Sequence, residues 1–259
     1  MNIKFSIITV TFNASKVLEK TILSVINQTY TNIEYIIVDG GSSDGTVELI
    51  RQYESGISYW VSEADNGIYD AMNKGLRRAT GDYVWFLNAG DTLQHHHIVS
   101  EVALKAEQAG QPGILYGETD LMDNKGRIFA ERRLKTPRNL TWKSFKMGML
   151  VCHQAFIAKR SIAPEYDMQY RFSADFDWCI RCMEKAGETG ETGEAGNVIN
   201  THLRLVNYLY EGATTANRKA SLKERYAIMC RYYGIFPTQI RHLWFAARSC
   251  WARLFKNNY

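Results

Sequence analysis

Apolar and polar positions fall in alternating blocks along the first ninety or so residues. "IKFSIITV" (3 to 10) is a short apolar, β-branched run. Polar "TFNAS" follows it, and then Val17, Leu18, Thr21, Ile22, Val25 and Ile26 recur at helical spacing. Strand, loop and amphipathic helix are the predicted elements. The pattern repeats with "IEYIIVD" (33 to 39) as a second buried strand, "GGSSDGT" as a Gly-rich turn and "VELIRQY" as a helix capped by Asp44. "ISYWVS", "EADNG" and "IYDAMNKGLRRA" predict a third strand, loop and helix ended by Gly81, and "YVWFLN" a fourth strand. Strands apolar on both faces, alternating with helices, predict an α/β fold whose parallel sheet is covered on both sides.

The pattern loosens after Gly110. "ILYGETDLMDNKGRIFAER" predicts a hairpin turning at Asp123 to Gly126, and "VCHQAFIA" (151 to 158) a further strand. The near-tandem "GETGETGEAG" (187 to 196) has no apolar anchor and predicts a solvated insertion. From Phe236 to Phe255, the residues Ile240, Leu243, Trp244, Ala247, Trp251, Leu254 and Phe255 share one helical stripe bordered by Arg and Lys. Three regions follow: 1–110, 111–215 and a basic helical tail at 216–259.

Charge sharpens this division. Nine Lys or Arg against Glu224 alone give residues 217–259 a formal charge of +8, and the rest of the chain carries −4. Two regions meeting different partners are expected. No zinc-finger, RNP or KH pattern supports nucleic acid as one of them. With 46% hydrophobic residues the 259-residue chain can build a substantial core, and its five scattered cysteines predict a reducing, cytoplasmic setting. Cys179 and Cys182 form a lone CxxC that reads as helix packing, and His95 to His97 read as surface.

In open parallel sheets ligands bind beyond the carboxyl ends of the strands. Here those ends carry Thr11 and Asn13, then Asp39 and Gly40, then Asp65 and Asn66, and finally Asn88 to Asp91. Each residue type is ordinary in turns, so their joint placement at one edge is the signal. Neither GxxxxGK[ST] nor GxGxxG is present, so phosphate needs another counter-charge. A hard divalent cation on Asp91, Mn²⁺ or Mg²⁺, would supply it.

"ITVTFNA", "IIVDGGSSDGT", "DNGIYDAMNKG", "GDYVWFLNAGDTL", "CHQAFI" and "SADFDWCIR", in that order, resemble the inverting glycosyltransferases of family 2, most closely the bacterial branch that builds O-antigen and other surface polysaccharides. The resemblance covers residues 3 to 210. It implies a GT-A fold and a nucleotide-sugar donor, UDP-linked by family tendency, with 1–110 as the nucleotide-sugar-binding half and 111–215 as the acceptor-binding and catalytic-base half. Thr11 and Asn13 would lie along the nucleotide, Asp39 with Gly40 would accept from the base, and Asp65, Asn73 and Lys74 would border ribose and diphosphate. A solvated helix charge is the competing reading of Lys74. Asn88 to Asp91 stands where the family has its metal motif, with Asp91 as metal ligand and Asn88 assisting. Gly90 replaces an acid common in relatives and would let donor or metal approach the backbone. Asp175 stands at the general base, with Ala174 where a Glu is usual, and Asp177 is its rival. His153 and Gln154 would border the acceptor, with a satisfied core histidine as the alternative for His153.

The resemblance also implies a saccharide acceptor, carried on a polyprenyl diphosphate, and a role in surface polysaccharide assembly. The tail stripe, with two Trp among cations, fits a helix lying on an anionic membrane, and this predicts a peripheral position on the inner face of the cell membrane. No spanning segment and no QxxRW motif are present, which disfavours a processive synthase. The competing functions are a sugar-nucleotide nucleotidyltransferase and a non-catalytic nucleotide-sugar or membrane-binding protein.

Overall fold

The computed structural model describes residues 2–189, 197–210 and 218–255. Its first half follows the periodicity, with β1 (Phe5–Thr11), α1 (Leu18–Ile26), β2 (Ile33–Asp39), α2 (Thr46–Gln52), β3 (Tyr59–Ser62), α3 (Ile68–Arg78) and β4 (Tyr83–Phe86). The cap position of α2 is Gly45 rather than Asp44, whose Oδ1 accepts from the Thr46 N–H at 3.1 Å. Its Oδ2 accepts from the Ser15 N–H and hydroxyl at 3.1 and 2.9 Å, so the same carboxylate fastens the loop after β1. Helix α3 ends on Ala79 rather than Gly81.

The second half comprises β5 (Thr92–Leu93), α4 (Ile98–Gln108), β6 (Ile114–Met122), β7 (Ile128–Glu131), β8 (Phe156–Lys159), α5 (Ala174–Thr189), β9 (Val198–Leu209), α6 (Arg218–Tyr233) and α7 (Ile235–Phe255). Among the described residues these strands form one sheet in the order β3-β2-β1-β4-β8-β6-β9-β5, with β7 added to β6. The expectation of a parallel sheet holds for β1 to β4 and needs correction beyond them. β8 is antiparallel to both β4 and β6, β6 is parallel to β9, and β9 is antiparallel to β5. Only β7 and two short 3₁₀ turns, and no α-helix, lie between β6 and β8, so their connection is free to bring the chain back antiparallel. The strand expected at 151–158 is likewise shorter, because His153–Ala155 forms a 3₁₀ turn before β8. Within the "GETGETGEAG" segment α5 continues to Thr189, and 190–196 lie outside the described residues.

Alternate side chains of the central strands feed two cores. Ile8, Val10, Ile36, Val38, Val84 and Phe86 face α3 and α5, while Phe5, Ile7, Tyr35, Ile37, Tyr83 and Trp85 face α1 and α4. Phe176, Trp178, Cys179 and Cys182 of α5 are entirely buried in the first core, and each large apolar side chain so buried contributes about 1.5–3 kcal/mol. The CxxC is therefore packing. His95, His96 and His97 lie on the surface.

Helix α6 closes over the start of α5. Glu224, the tail's only acid, accepts from the Arg171 and Phe172 N–H groups at 2.9 and 2.8 Å, and Ser221 meets Ser173 hydroxyl to hydroxyl at 2.9 Å. Helix α7 turns Thr238 and Phe245 inward. Its outer face presents Phe236, Ile240, Leu243 and Trp244, at 73%, 52%, 72% and 47% exposure. The stripe expected from the sequence thus points away from the domain where it is described. Ala247, Trp251, Leu254 and Phe255 lie outside the residues whose side chains are described.

Candidate active site

Strand register brings the expected residues to one edge. Thr11 pairs with Asp39 and Asp39 with Ser62, so the ends of β1, β2 and β3 lie abreast. Beyond β4 the backbone still follows β1, with the Leu87 N–H donating to Ile8 and the Ala89 N–H to Val10. Asn88 to Asp91 therefore emerge beside Thr11. A Cβ on Gly40 would lie 2.4 Å from Asp65 Oδ2, so the bare backbone at that position lets the turns after β2 and β3 meet. Next to them a cavity of about 640 Å³ is lined by Asn13, Lys16, Ser43 and Asp44.

Asp39 is wholly buried and already carries four donors. Gly41 and Ser42 N–H donate to its Oδ2 at 3.1 and 2.8 Å, the Ser62 hydroxyl to the same oxygen at 2.6 Å, and the Ser42 hydroxyl to Oδ1. Asn13, at φ 48°, donates its N–H to Ser42 Oγ and accepts from the Ser43 N–H. These contacts knit the first two strand-end loops into one wall. Phe12, 63% exposed, stands on that wall, and a Cβ on Gly40 would lie 3.4 Å from its ring. Sequence reasoning passed over Phe12. Its signal was a large aromatic placed where the chain turns polar.

Asp91 is buried at the opposite side of the edge. Its Oδ1 accepts from the Leu209 N–H at 2.8 Å, and the Gln154 side chain bonds to the same carboxylate. Burial pushes the carboxyl up to about 7, against the downward pull of those two bonds. Asn88 Oδ1 and Thr11 Oγ1 are buried without a hydrogen-bond partner, a costly state that calls for a ligand or water. A buried carboxylate and an orphaned amide oxygen fit a hard divalent cation. No group of three or more His, Cys, Asp or Glu among the described residues could hold one, so phosphate and water would complete its shell.

Three expectations need correction. Gly90, at φ 100°, does not open the backbone to a ligand: its N–H donates to Thr21 Oγ1 at 2.9 Å, and the space a Cβ would take is filled by Leu209 Cδ2 at 2.7 Å. Asn73 does not join the edge. It is buried and clamps the Tyr166 backbone, donating to the carbonyl at 3.0 Å and accepting from the N–H at 2.6 Å. His153 and Gln154, expected to border the acceptor, are also buried. Gln154 braces Asp91, and its backbone carbonyl accepts from Trp85 Nε1 at 2.7 Å. His153 Nε2 meets the Tyr166 hydroxyl at 2.7 Å amid Phe86 and Trp178, and desolvation lowers it to about 4, so the ring is neutral at physiological pH. Lys74 lies between its two readings. It donates to the Ala64 carbonyl at 3.0 Å and pairs with Glu63 at 2.9 Å, holding the loop that carries Asp65.

Asp175 and Asp177 separate cleanly. Asp177 is wholly buried, accepting from Arg181 Nε at 2.6 Å and from the Tyr232 hydroxyl at 2.9 Å. Asp175, one position into α5, is half-buried and accepts only the Tyr69 hydroxyl, at 3.1 Å on Oδ1. Since α3 starts just past Asp65, Tyr69 carries Asp175 toward the strand-end edge.

A model described as glycosyl transferase family 2 matches residues 6–163. The chain belongs to that family. This glycosyltransferase is 34% identical over 181 residues to an uncharacterized glycosyltransferase of Mycobacterium tuberculosis, covering 68% of this chain and 67% of the relative. It is 32% identical over 188 residues to a PGL/p-HBAD biosynthesis glycosyltransferase of Mycobacterium bovis, covering 69% of each chain. Among solved structures, S. aureus TarS 1-349 in complex with UDP-GlcNAc superposes with a TM-score of 0.65 at 16% identity over 87% of this chain and 64% of that one. A mannosyltransferase from Pyrobaculum calidifontis in complex with GDP-Man and Mn²⁺ gives 0.59 at 15% identity over 95% and 76%. Against the longer TarS chain this family member spans 40% of the length. The fold is GT-A, with a helical carboxyl-terminal region.

Proposed function

We propose that this family 2 glycosyltransferase transfers one sugar, with inversion, from a UDP-linked donor to a saccharide acceptor in surface polysaccharide or glycolipid assembly. The observation that carries the reading is the pair of acids in α5: Asp177 is wholly buried and bonded to Arg181 and Tyr232, whereas Asp175 is half-buried and, among the described residues, accepts from the Tyr69 hydroxyl alone. Asp175 takes the proton of the acceptor hydroxyl as its oxygen attacks the anomeric carbon, while the bond from that carbon to the diphosphate oxygen breaks on the opposite face. A single displacement inverts the centre. Phe12 and Asn13 flank the base, with Asp39 supporting their loops, and Asp65 borders the ribose. Complexes of the structural neighbours with UDP-GlcNAc and with GDP-Man support a nucleotide-sugar donor.

Asp91 and Asn88 would hold a divalent cation, Mn²⁺ or Mg²⁺, which when bound neutralises the departing diphosphate. The Mn²⁺ of the mannosyltransferase complex supports this assignment. The acceptor is proposed to be lipid-linked. No helix among the described residues is long and apolar enough to cross a membrane, but the outer face of α7 would rest on an anionic surface, placing the enzyme at the inner face of the cell membrane. The deciding experiment incubates the full chain with a panel of UDP-, GDP- and dTDP-sugars in Mn²⁺, Mg²⁺ or EDTA and measures binding and nucleotide release. Metal-dependent release of UDP from one donor is expected. Nucleotide binding without release from any donor would reduce the protein to a binding module.

A further inference from the structure

Tyr69 occupies an unusual position for a buried aromatic. Its ring is 7% exposed and stacks on Tyr166 at 5.5 Å and 23°, and Tyr166 in turn stacks on Trp178 at 5.2 Å and 13°. Because the Tyr166 hydroxyl is fixed to His153 Nε2 and its backbone is clamped by Asn73, the stack cannot slide. The Tyr69 hydroxyl ends at the first turn of α5. There it donates to Asp175 Oδ1 at 3.1 Å and accepts from the Asp175 backbone N–H. That N–H is among those a helix start leaves without an intrahelical partner, so one hydroxyl both satisfies the helix end and fixes its carboxylate.

We infer that Tyr69 is a positioning residue for the reaction, holding Asp175 by Oδ1 so that Oδ2 faces the acceptor hydroxyl. The inference rests on Asp175 being the base. Four other groups face this pair: His153 from the 3₁₀ turn, Tyr166 from the loop before α5, Cys179 from α5 itself and Arg225 from α6. His153 is neutral at physiological pH, and Tyr166 and Cys179 are pushed further into their neutral forms by burial. Arg225 acts on Tyr69 through its charge. Tyr69 is the one that donates a hydrogen bond to the carboxylate. Such a bond fixes the angle from which the carboxylate meets the acceptor hydroxyl.

Tyr69→Phe keeps the ring and its stack and deletes only the hydroxyl. In full-length protein labelled with [¹³Cγ]aspartate, the resonance missing from Asp175→Asn identifies the Asp175 carboxyl. That resonance is expected to move in Tyr69→Phe at neutral pH, and an unchanged resonance overturns the inference. In turnover of the nucleotide sugar with the fastest UDP release, Tyr69→Phe should lower kcat about 10- to 100-fold. The donor KM should stay within about twofold. Unchanged kcat also overturns it. If Asp175→Asn itself turns over normally, the base assignment fails, while the carbon resonance still reports whether the hydroxyl holds the carboxylate.

Discussion

At the donor edge Thr11 Oγ1 and Asn88 Oδ1 are buried with nothing to bond to, beside the buried carboxylate of Asp91. Behind Asp175 the corresponding oxygens have partners within the chain: the Tyr166 hydroxyl with His153, the Asn73 amide with the Tyr166 backbone, and the Asp177 carboxylate with Arg181 and Tyr232, while the atoms left unpaired there are nitrogens, Arg181 Nη2 and Arg225 Nε. The first region leaves acceptors open, whereas the second leaves its acceptors closed. The difference teaches which residues carry chemistry and which hold geometry, although many of them are equally buried. Asn73, His153 and Gln154 are buried and bonded within the chain, as the residues of the second region are.

Mutations can break this comparison. Asp175→Asn should lower kcat by about 10³-fold with the fold intact, within the usual range for loss of a general base. Asp177→Asn should do the reverse, leaving kcat within a few-fold but costing about 2–4 kcal/mol in urea unfolding, because Arg181 loses its buried partner. Equal kinetic losses in the two variants would erase the distinction. Asp91→Ala should abolish metal-dependent transfer and metal-induced thermal stabilisation, and Asn88→Ala should weaken metal affinity only about tenfold.

A pH series sharpens the same contrast. The Asp91 carboxyl is raised to about 7, above the unfolded value near 4. Without metal it therefore contributes stability that is complete below the unfolded value and is lost as pH rises through about 7. Cation binding needs the carboxylate, so the Mn²⁺-induced rise in Tm should be larger at pH 8 than at pH 6, and flat with pH in Asp91→Ala. His153 runs the other way. Lowered to about 4 from an unfolded value near 6.5, it removes stability as pH falls from about 6.5 toward 4, and metal should not change that slope. The smallest effect is expected on α7, where Leu243→Glu should reduce sedimentation with anionic liposomes several-fold and leave turnover of a soluble acceptor unchanged.

The first four strands were legible because each is a short apolar run ended by turn residues, a pattern that parallel strands buried on both faces impose. β9 was not, since "VINTHLRLVNYL" mixes its faces and takes its order from pairing with β6 and β5. The strand-end residues were legible for the same reason as the strands. The roles of Asn73, Gln154 and His153 were not, because each depends on a partner far along the chain, Tyr166 or Asp91, that no local spacing encodes. Asp175 and Asp177, two residues apart on one helix, pointed to opposite uses in the sequence only as alternatives. The partner that separates their surroundings is Tyr232, which comes from α6 and bonds Asp177.

Gly90 bears on how this site could change. A residue with a Cβ there would sit at φ 100°, a conformation L side chains rarely adopt, and would meet Leu209 at 2.7 Å. A second acid therefore cannot be restored by one exchange of Gly for Asp. The turn and the end of β9 would have to move with it, and β9 is the strand whose Leu209 N–H holds Asp91. In the proposed cation site, the backbone of this turn thus holds the protein to one carboxylate.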